Sequence, residues 1–326
     1  MSILISQQYA IGVDIGGTNT KFGLVNHRGD ISYHGSIPTH KHERIDDFIE
    51  DLYQALLPAM TDVGGTQFIR GIGIGAPNGN IYKGTIEYAP NLKWKGIIPV
   101  AEMIGKRFGL PARLTNDANA AAVGEMTYGA AKGMKDFIMI TLGTGVGSGI
   151  VANGQLIYGH DGFAGELGHT IILPDGRLHP GTGHKGSLEA YASATGVART
   201  AVEFLETRTD VQSSMRNYPL DQIDSRIVYE CAMAGDPLAQ EVYDFTGKIL
   251  GLAFANFVMF SSPEAIVLFG GMSKAGDLIL KPTRESMERN LLPIFQNKVK
   301  IIFSELNEAD AAILGASALV WESRID

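Results

Sequence analysis

The first clear pattern along the chain is Tyr9 to Asp14, a nearly unbroken apolar run of strand length. Gly16-Gly17 then makes a tight turn, Lys21 to Val25 returns, and Asp30 to Ile37 forms a third strand, so an antiparallel meander opens the fold. Asp46 to Met60 places apolar residues at helical spacing. Phe68 to Ile74 reads as a strand, Val100 to Phe108 as a helix, and Ala112 to Leu114 as a short strand running into Thr115-Asn116-Asp117. The alanine-rich run after Asp117 is a helix.

The order then restarts. Asp136 to Leu142 is a strand, Gly143-Thr144-Gly145 a turn, and Gly147 to Ala152 a return strand, as in the opening meander. The repeat of strand, glycine-threonine turn and strand predicts two related α/β lobes and an internal duplication. The second lobe continues with helices over Ser187 to Leu205 and Pro237 to Phe260, a strand at Ala265 to Phe269, a helix around Leu278 to Asn290, and a strand at Lys300 to Phe303. Ala309 to Trp321 is the C-terminal helix. The expected division is an N-terminal lobe over 1–116, completed by a C-terminal helix within 309–326, and a C-terminal lobe over 117–308.

Composition agrees with two lobes, because 326 residues hold about two domains of roughly 150 residues each. Lys+Arg 27 against Asp+Glu 35 gives a net charge of -8, which disfavours a nucleic-acid partner and favours a small ligand. The single cysteine, Cys231, excludes an internal disulfide and a thiolate-rich zinc site and fits a reducing compartment. The opening MSILISQQYA lacks the marks of a signal peptide, and the apolar stretch Ile249 to Phe260 is interrupted by Asn256 and too short for a bilayer. A soluble cytoplasmic protein without membrane attachment is the expectation. Glycine is the outlier: 40 of 326 residues is about 12%, against an average of about 7%.

Those glycines gather in turns. A glycine-rich turn between strands exposes several backbone N–H groups and lets a polyanion approach closely. Asp14-Ile15-Gly16-Gly17-Thr18-Asn19 has this character: its hydroxyl and amide can donate to phosphate oxygens, and Asp14, at a strand end, is placed to hold a Mg²⁺ hydration shell. A plain Gly-Gly hairpin is the alternative. Gly143-Thr144-Gly145 is a second turn of this kind, and the two look like jaws on one triphosphate. A third cluster, Gly270-Gly271, follows a strand and offers backbone for an adenine ring to lie against, unless it is a simple loop. No Walker A pattern occurs. Gly71 to Ala76 matches the dinucleotide fingerprint by letters, but Pro77-Asn78-Gly79 follows where a helix is required.

Carboxylates and amides stand beside these turns. Asn116-Asp117 sits between a strand and a helix, either as a helix cap or as a pair of reactive groups at a cleft edge. Glu166 and His169 lie three apart between glycines, which suits a polyhydroxyl substrate. Glu189 is a solvated helix residue unless it faces the same cleft.

Asp14-Ile15-Gly16-Gly17-Thr18, Gly73 to Pro77 with Asn91-Leu92-Lys93-Trp94, Asn116-Asp117-Ala118-Asn119-Ala120, Leu142 to Gly147, and Gly165-Glu166-Leu167-Gly168-His169 together resemble the ROK family of sugar kinases and repressors. They stand in the family's order over nearly the whole chain. The resemblance implies a two-lobed, actin-like (ribonuclease H-like) α/β ATPase fold with sugar and MgATP in the central cleft. It implies Asp117 as catalytic base, with Asn116, Glu166, His169, Glu189 and, more weakly, Asn91 on the sugar hydroxyls. Gly16, Gly17, Thr18, Thr144 and Gly145 would meet phosphates, and Gly271 the adenosine. Asn19 stands where many relatives have lysine, with Lys21 two residues on. Repressor members carry an added DNA-binding segment before the nucleotide motif, which here begins at Asp14, so the enzyme branch is favoured.

The family's zinc pattern, Cys-x-Cys-Gly-x-x-Gly-Cys-x-Glu, is broken. Anchored on Glu189, Gly183 and Gly186 fit, but the cysteine places hold Pro180, Thr182 and Ser187. His169, His179 and His184 supply three ligands at most, short of a structural zinc site. No bound zinc is expected, and His169 is expected to meet the sugar directly. The activity this implies is ATP-dependent phosphorylation of a hexose, foremost the 6-OH of glucose, by a homodimer using Mg²⁺. An N-acetylhexosamine kinase, a fructokinase and a sugar-sensing regulator are the rivals.

Overall fold

The computed structural model of the protein describes residues 8–307 and 310–321. The chain opens as its apolar runs and glycine turn predict: β1 (Tyr9–Ile15), β2 (Asn19–Asn26) and β3 (Ile31–Pro38) form an antiparallel meander. After α1 (Ile45–Asp62), β4 (Ile69–Ala76) joins β1 in parallel. A small sheet of β5 (Gly79–Asn80), β6 (Thr85–Glu87) and β7 (Ile97–Ile98) follows; its strands are too short for periodicity to betray them. Next come α2 (Val100–Phe108) and β8 (Ala112–Asn116), parallel to β4, and then α3 (Asp117–Tyr128).

The second half repeats this order. β9 (Phe137–Leu142), β10 (Val146–Ala152) and β11 (Gln155–Leu156) form a second meander. Helices α4 (Glu189–Ala192), α5 (Ala194–Thr207), α6 (Ser225–Met233) and α7 (Pro237–Ser261) precede β12 (Ala265–Phe269), α8 (Asp277–Asn290), β13 (Lys300–Phe303) and α9 (Ala311–Trp321). The sheets read β3-β2-β1-β4-β8 and β11-β10-β9-β12-β13, the same arrangement twice.

The helix expected over Ser187 to Leu205 is two. Ser193 breaks it: its hydroxyl accepts the Gly196 N–H at 3.0 Å, capping α5 afresh. The expected C-terminal helix is seen from Ala311; Ala309 and 322–326 lie outside the described residues.

Glycine sets the closest packing. A Cβ on Gly12 would fall 2.1 Å from the Ile313 carbonyl oxygen, and one on Gly73 would fall 1.8 Å from that of Ala316. Gly12 and Gly73 therefore clear the sheet for the backbone of α9, while Gly71 lies against the Pro111 carbonyl and Gly75 against Ala120 of α3, so packing accounts for the fingerprint-like Gly71 to Ala76. On its other side α9 crosses α3, where a Cβ on Gly124 would lie 2.8 Å from the Gly315 Cα. Between a sheet and a helix, α9 is buried on nearly every side, which accounts for a sequence apolar all round. The first lobe's core joins β1, β4 and β8 to α1 and α2, and a second core joins β9, β10 and β12 to α5, α7 and α8. Among the described residues, no helix is long and apolar enough to cross a membrane.

Candidate active site

Parallel strands end together, and in α/β sheets that edge is where ligands gather. Here β1, β4 and β8 bring Asp14, Ala76 and Asn116 to one edge of the first sheet, in register through the pairs Asp14–Gly75 and Ala76–Asn116. The second sheet presents the ends of β9 and β12, Leu142 and Phe269. Between them opens a cleft of about 530 Å³ whose lining includes Asn91, Asn116, Asp117, Thr144, Gly145, Glu166, His169, Glu189 and Gly271. Nine residues read from sequence motifs far apart in the chain thus meet in one cavity. Pro77, Ser148, Phe269 and Gly270, which lie within or beside those motifs, line it too, as do Asn78 and Thr141, to which the sequence assigned no role. Pro77-Asn78 was legible in principle, as a polar turn closing a buried parallel strand.

Asp117 opens α3. The Ala118 N–H lies 2.9 Å from the Asn116 side-chain oxygen and 2.8 Å from the Asp117 Oδ1, so both residues cap the helix as well as face the cleft. Protein atoms crowd the Asp117 carboxylate, although solvent still reaches it from the cleft. This desolvation raises its pKa, against the hydrogen bonds that favour the charged form. Asp14 lies nearby because Gly75 intervenes: a Cβ there would sit 3.6 Å from both the Asp117 Cα and the Asp14 Oδ1. Burial, with the Asp117 charge adding to it and Lys21 opposing, pushes Asp14 up to about 7.

The first glycine turn sits behind this edge. Asp14, Gly16, Gly17, Thr18 and Asn19 are not among the residues lining the cavity; Gly17 backs onto Asn91, where a Cβ would meet the Asn91 backbone carbonyl oxygen at 2.8 Å. The turn is tied down by Thr39 N–H to the Thr18 carbonyl at 2.9 Å and by the Thr20–Thr39 hydroxyl pair at 2.7 Å. On the opposite wall, a Cβ on Gly143 or Gly271 would meet nothing within 4 Å. Their peptides face free space of the kind a phosphate or a base would fill.

Glu166 and His169 come from the loop after β11. Ser148, buried in β10, holds that loop by donating to the Gly165 carbonyl and accepting the Leu167 N–H at 3.1 Å. Glu166 and His169 stand 3.9 Å apart. Burial raises the Glu166 pKa, His169 opposes this, and the charges of Asp117 and Glu189 add to it. Glu189, at the start of α4, accepts the Val146 N–H at 2.7 Å and lies 2.8 Å from the His179 Nε2. The His179 ring stands 6.2 Å from that of His169. Among the described residues, no group of three or more His, Cys, Asp and Glu side chains is arranged to hold a metal ion.

Comparison with known proteins puts a family to this arrangement. The ROK family pattern matches residues 10–323. The chain belongs to the ROK family. It is 36% identical over 318 residues to a glucokinase of Halalkalibacterium halodurans, covering 97% of this chain and 96% of that protein. A glucokinase of Thermotoga maritima is 32% identical over 315 residues, covering 96% and 97%. Among solved structures, a ROK family glucokinase from Streptomyces griseus in complex with glucose and AMPPNP superimposes with a TM-score of 0.78 at 32% identity, covering 95% of this chain and 98% of that one. The ROK architecture of two actin-like α/β lobes about a cleft is therefore the fold of this chain.

Proposed function

We propose that this ROK protein is an ATP-dependent glucokinase, transferring the γ-phosphoryl group to the 6-OH of glucose. The observation that carries the reading is a single cleft that has Asp117 and Asn116 on one wall and the open glycine peptides 143 and 271 on the other. The glucokinase relatives support the choice of sugar.

Phosphoryl transfer passes through a loose, charge-rich transition state, so catalysis is chiefly alignment and electrostatic stabilisation. Asp117 accepts the hydroxyl proton, its pKa raised towards the working range of a base. Asn116, Glu166, His169, Glu189 and Asn91 hold the other hydroxyls. Thr144 and Gly145 receive phosphates from one side, with Gly16, Gly17, Thr18 and Asn19 behind the opposite edge, and Gly271 supports the adenosine. The half-buried Asp14 carboxylate suits a hydrated Mg²⁺, which would arrive with ATP and neutralise phosphate charge. The lobes divide at 116/117, with α9 assigned to the first. The working form is a cytoplasmic homodimer of sugar metabolism with no nucleic-acid partner.

The test is ADP release across a sugar panel for the wild type and Asp117→Asn. Glucose should give the highest kcat/KM, above N-acetylglucosamine, N-acetylmannosamine and fructose. The variant should keep glucose binding while kcat falls roughly 10²–10⁴-fold. A preferred N-acetylhexosamine overturns the sugar assignment, and near-native turnover of the variant overturns the base.

A further inference from the structure

Residues 170–187 lead from His169 back to Glu189 and fold as a hairpin. Ile171 bridges Ser187, Leu178 bridges Lys185, and the His179 N–H donates to the His184 carbonyl at 2.8 Å. Arg177 fastens this hairpin to α5. Its buried guanidinium donates to the Ala190 and Gly196 carbonyls at 2.9 and 3.1 Å, to the Thr200 hydroxyl at 3.0 Å and to Glu203, and it lies over the Tyr191 ring at 4.6 Å.

At the hairpin tip the hydrogen-bond donors settle one imidazole. The Thr182 backbone N–H, which can only donate, points at the His179 Nδ1 at 3.2 Å. The Thr182 hydroxyl lies 3.2 Å from the same nitrogen and itself accepts the His184 N–H at 3.3 Å. Nδ1 is therefore the acceptor, the ring proton sits on Nε2, and Nε2–H donates to the Glu189 Oε1 at 2.8 Å. The Glu189 Oε2 takes the Val146 N–H. One bond on each oxygen fixes the plane of the carboxylate and leaves lone pairs for substrate hydroxyls in the cleft.

We propose that His179 is a positioning residue for glucose binding, orienting the Glu189 carboxylate through Nε2–H and backing the His169 ring from the side. The inference rests on the glucokinase reading. It assigns to a histidine and an arginine-pinned hairpin the fixing of a sugar-binding carboxylate, with no metal taking part.

The experiment compares His179→Ala and His179→Gln with the wild type. It records KM for glucose and for ATP, glucose Kd by calorimetry, and melting temperature. His179→Ala should raise glucose Kd and KM about 10- to 100-fold, the usual consequence of losing a hydrogen bond to a charged group, with the ATP KM unchanged. The glutamine amide can donate to Oε1, so His179→Gln should restore most of the affinity. An alanine variant with unchanged glucose Kd, or with ATP and glucose KM raised in parallel, overturns the proposal. Should the alanine variant fail to fold, the glutamine variant decides: near-native glucose affinity supports the role, and a tenfold loss in a folded protein overturns it. A wild type that binds and phosphorylates no hexose fails the glucokinase reading instead.

Discussion

Asp14 and Asp117 face one another across Gly75, two carboxylates in a setting that water only partly solvates. For Asp14 the consequence is a folded-state pKa of about 7 against 3.8 for the free side chain. An acid raised on folding contributes stability that is fully present below pH 3.8 and is lost as pH rises to about 7. Asp14→Asn removes this ionisation. Without nucleotide or Mg²⁺, the variant should therefore be more stable than the wild type, and its advantage should be about 2 kcal/mol larger at pH 8 than at pH 5. Chemical denaturation at both pH values measures it; an equal advantage at the two would mean that Asp14 is not desolvated. The site holds a charge that costs stability, as expected of a group kept for binding rather than for folding.

At the scale of elements, two glycines with similar neighbours in sequence behave in opposite ways. Gly73→Ala drives a methyl into the α9 backbone, which has no side chain to yield, and should cost more than about 3 kcal/mol or abolish soluble expression. Gly143→Ala meets nothing, so its melting temperature should stay within about 2 °C of wild type while the ATP KM rises. Melting curves and nucleotide titrations of the two variants check the pair; a stable Gly73→Ala would contradict the packing of α9. The sequence distinguishes these roles poorly, because a glycine stripped of a Cβ for a helix looks the same as one stripped for a phosphate. Short apolar runs bounded by glycine turns made β1 to β4 legible, and helical spacing made α2 legible to the residue. The break at Ser193 was hidden, since a serine inside an apolar helical pattern reads as a surface position. The tip that carries His179 is rich in glycine, proline and threonine and has no period. Its partner Glu189 is reached only through the hairpin, so nothing local marks the contact.

The whole molecule is two copies of one sheet plan, and two of the contacts that join them stand out. One is the crossing of α3 over α9. The other is a clasp in which the buried Asn80 donates to the Asp161 carbonyl at 2.8 Å and the Tyr82 hydroxyl donates to that of Gly159 at 2.8 Å. Asn80 stands two residues after Asn78, and Asp161 four before Gly165, both of which line the cleft, so the clasp lies close to it. Ligands held between two hinged lobes commonly close them and exclude water. Small-angle scattering should record a smaller radius of gyration with saturating glucose than without; an unchanged value would count against closure.

The glycine paving beneath α9 also orders events in time. During synthesis β1 and β4 leave the ribosome early, but the helix that covers them is made after the entire second lobe. Until then the part of the first sheet around Gly12 and Gly73 lacks the helix that covers it. The first lobe to be made is thus the last to be finished. A nascent chain stalled in its second half carries an open sheet, the species that chaperones and proteases meet.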